Sequence, residues 1–354
     1  MSNHYQAVNW SGFKIRYDLI LASGVILFLA LFVMVSSWRL PADQSISGLI
    51  LVIRALGACG FTLLTLILCI GPLARLSPRF LPLLYNRRHL GVAMFGIALA
   101  HAVLAAVWYH AFGDVNPVVS ILTSSAEYSS FPEFPFQPLG LAALVILLVM
   151  AATSHDYWLS NLGPRTWKSI HLIGYLAYAL LVGHIALGVL QYGPEPVVLI
   201  GTATSVVVVA SLHLISGLKE RRRDRPLNAV VLDGWIRVGD CDEIPPDAGK
   251  VVSVGGCHRV AVFRKDEGFS AISNTCAHQG GPLGEGRLID GCLTCPWHGY
   301  QYIVTNGQSP PPFTERIETY ELRIDGETIW LNPNAKTPGT EVPPATRAST
   351  TERD

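Results

Sequence analysis

The chain has 354 residues, half of them apolar and 15% charged, with a formal net charge of zero at pH 7. That composition is too apolar for an ordinary soluble domain and points to several membrane spans, while the neutral balance gives no electrostatic case for nucleic acid. Residues 1–217 are poor in charge and 218–354 rich in it, so a membrane part followed by a soluble part is expected.

Six apolar segments follow in chain order: 19–38, 46–70, 90–110, 139–154, 170–190 and 197–218. The first is long enough to cross roughly 30 Å of hydrocarbon. It lacks a small-residue cleavage site and reads as a span rather than a removed signal. Backbone groups facing lipid must find partners within their own segment, so all six are expected as helices. Basic residues set the orientation. Arg75, Arg79, Arg87 and Arg88 lie in the second loop, Arg165 and Lys168 in the fourth, and "KERRRDR" ends the sixth span. The loop 111–138 carries Asp114, Glu127 and Glu133 with no Lys or Arg. Positive-inside bias places the N-terminal segment 1–18 and the soluble part on the cytoplasmic side of a bacterial-type inner membrane, with 19–218 as the membrane domain and 219–229 as a basic linker.

Histidine is costly in lipid and marks a site there. His89 and His101 bound or occupy the third span, His171 and His184 the fifth, and His213 the sixth. Spans three and five run in the same direction, with His101 and His184 near one depth and His89 and His171 at the cytoplasmic ends. Thirteen helical residues rise about 20 Å, so "HLIGYLAYALLVGH" spaces two ligand levels suited to two stacked b-type haems. On an ideal helix the same thirteen steps leave the imidazoles more than a quarter-turn apart, so Gly183 or a bulge must help. The plainer reading makes His171 an interfacial polar residue and His184 a lone interhelical hydrogen-bonder. Arg54 in span two either neutralises a haem propionate or snorkels to the interface. His155 and His213 read as interface residues, and His4, His110 and His258 are unassigned.

Beyond Pro226, "GWIRVGD", "KVVSVGG", "HRVAVFRKD" and "ETIWLN" are short, alternating and β-branched, so 230–333 is expected as a small all-β domain. The tail 334–354 has little to bury and is expected to be disordered. Within the β part, Cys276 and His278 form C-x-H, and Cys295 and His298 form C-x-x-H. Such a set holds a [2Fe–2S] cluster, with cysteines on one iron and histidines on the other. A structural zinc ion takes similar spacings, and Cys292-Leu-Thr-Cys295 adds a C-x-x-C to that reading. With "CAHQGGPLGEG" and "CPWHGYQY", residues 230–333 resemble the Rieske family. The resemblance implies Cys276, His278, Cys295 and His298 as cluster ligands, the histidine-bound iron nearest solvent, and Cys257 and Cys292 as ordinary small residues. Gly281 and Trp297 stand where the cytochrome-bc-type branch has a disulfide, and Tyr300 stands at that branch's hydroxyl donor. Fewer hydrogen bonds to the cluster then imply a midpoint potential of roughly −150 mV.

"GPLARL", "RRHLGVAMFGIALAH" and "TSHDYWLSNLGPRTWKSIHLIGYLAYALLVGH" resemble the ferric-reductase-like transmembrane family over about 45–217, and within it the haem-binding membrane subunits of bacterial methionine-sulfoxide reductase systems. The resemblance implies a six-helix bundle with His101 and His184 as the outer haem pair and His171 on an inner haem. Fuller members carry a second histidine on span three; here His89 is the candidate partner of His171, with Arg87 and Arg88 as anchors or ligands. One haem is therefore expected, and a second is possible.

The expected protein is a membrane electron-transfer oxidoreductase. Its donor is a cytoplasmic flavin-dependent reductase or ferredoxin, and its acceptor a periplasmic redox protein or quinone. With no G-x-G-x-x-G after a strand, no NAD(P)H or flavin site of its own is expected. The rivals are a membrane-anchored Rieske ferredoxin without haem and a redox sensor.

Overall fold

The structure is a computed structural model that describes residues 12–39, 46–80, 83, 87–123, 128–154, 158, 162, 166–167, 169–192, 196–223, 231–246, 249–254, 258–278, 280–289, 291–296, 300–311 and 313–347. It divides into two compact units, one made of residues 1–70, 86–154 and 170–210, the other of 71–85, 155–169 and 211–354.

The helices are α1 (Gly12–Arg39), α2 (Gly48–Leu76), α3 (Arg87–His110), α4 (Pro117–Thr123), α5 (Gln137–Ala152), α6 (Gly174–Tyr192) and α7 (Pro196–Arg223). Among the described residues five helices are long and apolar enough to cross a membrane; α5, the expected fourth span, is the shorter exception. Its 16 residues rise about 24 Å, short of a full hydrocarbon core. The expected basic linker also begins later than the charges suggest, because α7 runs on through Lys219 to Arg223. Lys219 Nζ donates to the carbonyls of Arg75 and Leu76 at 3.0 and 3.1 Å, satisfying acceptors that the end of α2 leaves open.

Within the first unit, α2 is the most buried span and α1 the least. Small residues allow close helix approach, as expected where lipid supplies no hydrophobic drive between spans. A Cβ on Gly60 of α2 would sit in ordinary contact with Ala98 of α3, and one on Gly174 would strike Met150 of α5. Phe61 and Tyr178 stack at 5.3 Å between α2 and α6. Several hydroxyls in the helices, such as Thr62, Thr65 and Ser205, bond back to carbonyls one turn earlier, which satisfies them within their own helix. A turn at Ile173 separates His171 from α6, so ideal helical phase does not run between His171 and His184.

The second unit carries the β domain. One sheet runs β1 (Val231–Leu232), β2 (Trp235–Asp240), β11 (Thr328–Leu331), β10 (Leu322–Asp325). Another runs β12 (Ala345–Thr346), β5 (Gly268–Ser273), β4 (Arg259–Lys265), β3 (Gly249–Ser253), with β9 (Thr319–Tyr320) also on β5. A third contains β6 (Arg287–Ile289), β7 (Cys292–Thr294) and β8 (Gln301–Tyr302). Asp233 and Gly234 both adopt positive φ at the tight β1–β2 turn, the backbone an Asp-Gly hairpin supplies. Strand β4 explains the continuous run "VAVF". Val260 and Val262 face one core with Phe269, Ile329 and Leu331, while Ala261 and Phe263 face another with Leu283, Leu293 and Tyr302. Period-two alternation thus buries both faces of a central strand.

The tail departs from expectation. Residues 334–347 are bound to the domain: Lys336 N–H donates to Thr319 O at 2.9 Å, Gly339 N–H to Ile317 O at 3.2 Å and Val342 N–H to Thr305 O at 2.8 Å, before β12 pairs with β5. Arg347 reaches Asp242 at 2.7 Å and Glu327 at 2.8 Å. Backbone pairing holds this segment, and composition does not register backbone pairing. Residues 348–354 lie outside the described residues.

Candidate functional sites

In the helical unit, α3 and α6 bring His101 and His184 together with ring centroids 6.4 Å apart and planes 87° apart. His101 Nδ1 donates to the Ile53 carbonyl of α2 at 2.8 Å, and His184 Nδ1 to the Phe136 carbonyl ahead of α5 at 2.9 Å. A carbonyl has no proton to give, so its partner fixes the tautomer: Nδ1 carries the hydrogen on both rings and Nε2 keeps its lone pair. A metal bonded to two imidazole nitrogens at about 2 Å each requires ring centres about 6 Å apart. The pair therefore fits the axial ligation of one haem iron.

The other membrane candidates are placed differently. His171 turns Nε2 into the unit, and the Nε and Nη2 atoms of Arg88 are likewise buried. His89, expected beside His171, instead meets Asp18 of α1 at 3.1 Å with its side chain 52% exposed. The carboxylate that meets it stands 71 positions away in the chain, at the charged start of α1. Arg87 is partly buried. Arg54 is exposed on α2, one residue beyond the carbonyl that His101 uses. His110 pairs with Ser120 at 2.8 Å. His4 and His155 lie outside the described residues.

In the β domain, Cys276 follows β5 and Cys295 follows β7, each only 2% exposed and in one shared core. Tight turns present them. Cys276 N–H donates to Gly281 O at 2.9 Å, Gly280 N–H returns to Cys276 O at 2.7 Å, and Cys295 N–H donates to Tyr300 O at 2.7 Å. Gly280 takes φ +72, which a side chain would strain. Buried Asn274 braces the first loop by accepting from Gly284 N–H at 2.6 Å. His278 has its Nδ1 buried, and its ring stacks on Tyr300 at 4.8 Å and 10°. His298 lies outside the described residues, and among the described ones no three His, Cys, Asp or Glu side chains form a metal cage. Two buried thiols with an inward imbedded imidazole nitrogen are the donor types a Rieske cluster takes.

Two tyrosines complete this site. Tyr302 Oη lies 3.4 Å from Cys276 Sγ and accepts from Ala277 N–H at 3.0 Å. Burial first, then the Cys276 sulfur, push the Tyr302 phenol well above its ordinary value, so it remains protonated. Tyr300 spends its hydroxyl on Glu315; burial and that carboxylate raise its pKa as well. Sequence reading singled out Tyr300 and overlooked Tyr302, although "HGYQY" places the second phenol on the same face of an extended strand. It also missed the Ile53 and Phe136 carbonyls, since a main-chain acceptor has no residue signature.

A helical unit that brings imidazoles from two spans within 6.4 Å, and a β domain with two buried thiols on paired loops, together define a membrane redox protein. Comparison with known proteins agrees. Residues 56–182 match the ferric reductase like transmembrane component and 234–321 match the Rieske [2Fe-2S] domain. The anthranilate 1,2-dioxygenase ferredoxin subunit of Burkholderia cepacia is 34% identical over 107 residues, covering 30% of this chain and 98% of that protein. The protein-methionine-sulfoxide reductase heme-binding subunit MsrQ of Azospira oryzae is 30% identical over 141 residues, covering 38% of this chain and 56% of that protein. Cholesterol 7-desaturase nvd 1 of Ciona intestinalis is 30% identical over 148 residues, covering 38% of this chain but 31% of that protein. The chain thus spans nearly all of the ferredoxin and only part of the other two. It belongs to the Rieske family through its β domain, and its helical unit is similar to the ferric reductase like transmembrane component. Membership of the Rieske family gives the β domain a [2Fe–2S] cluster, which displaces the zinc reading, and the MsrQ relatives that the helical unit resembles are heme-binding subunits.

Proposed function

We propose that this chain is a transmembrane electron conduit of an inner membrane, with six spans and a cytoplasmic Rieske domain. It takes electrons from a cytoplasmic flavin-dependent reductase or ferredoxin and delivers them to a periplasmic redox protein or quinone. The cluster and haem supply one-electron chemistry when bound. The protein's own part is positioning: Cys276, His278, Cys295 and His298 would hold the cluster, and His101 and His184 would clamp one haem. His171 would serve an inner haem, with Arg88 a better-supported neighbour than His89, because the polar tips of His171 and Arg88 are buried while His89 is exposed on Asp18. Short helix α5 is counted as a span because it carries the Phe136 carbonyl at its start and adjoins α6.

The observation that carries this reading is the pair of imidazoles whose Nδ1 atoms are both committed to carbonyls. Lone interhelical hydrogen-bonders need no second histidine 6.4 Å away. The test is a reduced-minus-oxidised spectrum and a haem assay on the cluster-loaded full chain. Sharp b-type bands with at least one haem per cluster are expected. Cluster without any haem would reduce the protein to a tethered ferredoxin.

A further inference from the structure

We propose that Gly57 and Gly140 are positioning residues for the two axial imidazoles, each forming with the carbonyl four residues earlier a socket that sets one ring. The inference rests on His101 and His184 being the haem ligands. The device occurs twice. His101 bonds the Ile53 carbonyl and His184 the Phe136 carbonyl, each across a separation of 48 residues. Gly57 and Gly140 each stand four positions beyond that carbonyl.

The physical reason lies in helix geometry. A carbonyl at position i already faces the N–H of residue i+4, as Gly140 N–H does toward Phe136 O at 3.3 Å. A donor arriving from a neighbouring helix must therefore come in beside that bond, over the Cα of residue i+4. A Cβ on Gly57 would stand 2.9 Å from His101 Cε1 and 3.0 Å from Nδ1. One on Gly140 would stand 2.7 Å from His184 Nδ1 and 2.8 Å from Cε1. Either methyl would push the ring off its carbonyl, freeing both its tautomer and its plane. Other glycines nearby lack this relation. A Cβ on Gly60 would find Ala98 no nearer than 3.8 Å, and one on Gly96 would find nothing within 4 Å. The sockets also set the planes 87° apart before any porphyrin enters.

The test compares Gly57→Ala and Gly140→Ala with Gly60→Ala and Gly96→Ala in the full chain, using the Rieske electron-paramagnetic signal to normalise folded protein. The socket variants are expected to retain haem roughly 10–100-fold more weakly, the scale on which loss of a ligand's supporting contact acts. Their residual haem is expected to be high-spin, while both controls match wild type. Wild-type ferric haem is expected to give the strongly anisotropic low-spin signal of near-perpendicular imidazoles. This second measurement decides the matter if the socket variants do not accumulate. Wild-type haem content and low-spin signal in both socket variants would overturn the proposal, as would a wild-type spectrum characteristic of parallel rings. Full low-spin haem in His101→Ala or His184→Ala would instead sink the ligand assignment beneath it, so the two failures are distinguishable.

Discussion

Tyr302 holds its hydroxyl 3.4 Å from the sulfur of Cys276, inside the core that surrounds the cluster loops. A thiolate bound to iron can only accept, so in the loaded protein the phenol donates. Donation favours the more negative, reduced cluster. This donor raises the potential, against the low value implied by the hydrogen bonds that the cytochrome-bc-type branch has and this chain lacks.

Tyr302→Phe is accordingly expected to lower the cluster midpoint. A net hydrogen bond of about 0.5–1.5 kcal/mol corresponds to about 20–65 mV for one electron. Wild type is expected near −150 mV or modestly above it, and a reversible midpoint beyond about +150 mV would contradict the low-potential assignment. Redox titration followed by electron paramagnetic resonance reads both quantities. Tyr300→Phe is expected to shift the midpoint less, because its hydroxyl is committed to Glu315.

Truncation after Asn334 removes three backbone hydrogen bonds to the rest of the domain, the β12–β5 pairing, the Lys336–Glu321 ion pair and both Arg347 ion pairs. Net of the entropy of ordering the segment, about 1–3 kcal/mol of stability is expected to go. For a domain of this size that lowers the thermal midpoint by about 5–20 °C, measured as loss of the cluster's visible absorption. An unchanged midpoint would mean the segment contributes nothing.

Glu321 accepts from Lys336 Nζ at 2.7 Å and from Asn332 Nδ2 at 2.9 Å. Lys336 first, and then Asn332, hold its carboxyl below the ordinary glutamate value. The folded pKa is the lower one, so the contribution is complete above about pH 4.3 and is lost as pH falls toward the folded value. Both side chains are about two-fifths exposed, which limits the contribution to about 0.5 kcal/mol or less. Glu321→Gln is expected to be slightly less stable than wild type at pH 7, with the two converging below about pH 4. A gap of constant size across that range would show that the carboxylate is not its source.

Reduction by NADPH is expected to require an added flavoprotein. Stopped-flow mixing of the purified, cofactor-loaded chain with NADPH should leave cluster and haem oxidised until a reductase is supplied. Rapid reduction by NADPH alone would refute the assignment of electron entry to a separate partner.

Much of this architecture was legible in the residues. Runs of apolar side chains, β-branched alternation after Pro226, and C-x-H with C-x-x-H are local patterns, and they reappear as α1, α2, α3, α5, α6 and α7, as β2, β3, β4 and β11, and as the two cysteine-bearing loops. The shorter α5 was less legible, because an apolar stretch reports polarity and not where helical backbone starts and stops. His101 and His184 could be named from their residue type and similar depth, but neither property says what their second nitrogens touch.

What the sequence by itself determined is therefore the class of chemistry: soft thiols with imidazoles in a β domain, and imidazoles within apolar spans, are donor sets that few metals share. Tertiary structure alone decided which donors meet. The Ile53 and Phe136 carbonyls, the sulfur beside Tyr302, the ordered tail and the diversion of His89 to Asp18 all join positions far apart in the chain. Such contacts depend on how helices and strands approach one another, and main-chain acceptors are the same at every residue, so no local pattern of side chains can announce them.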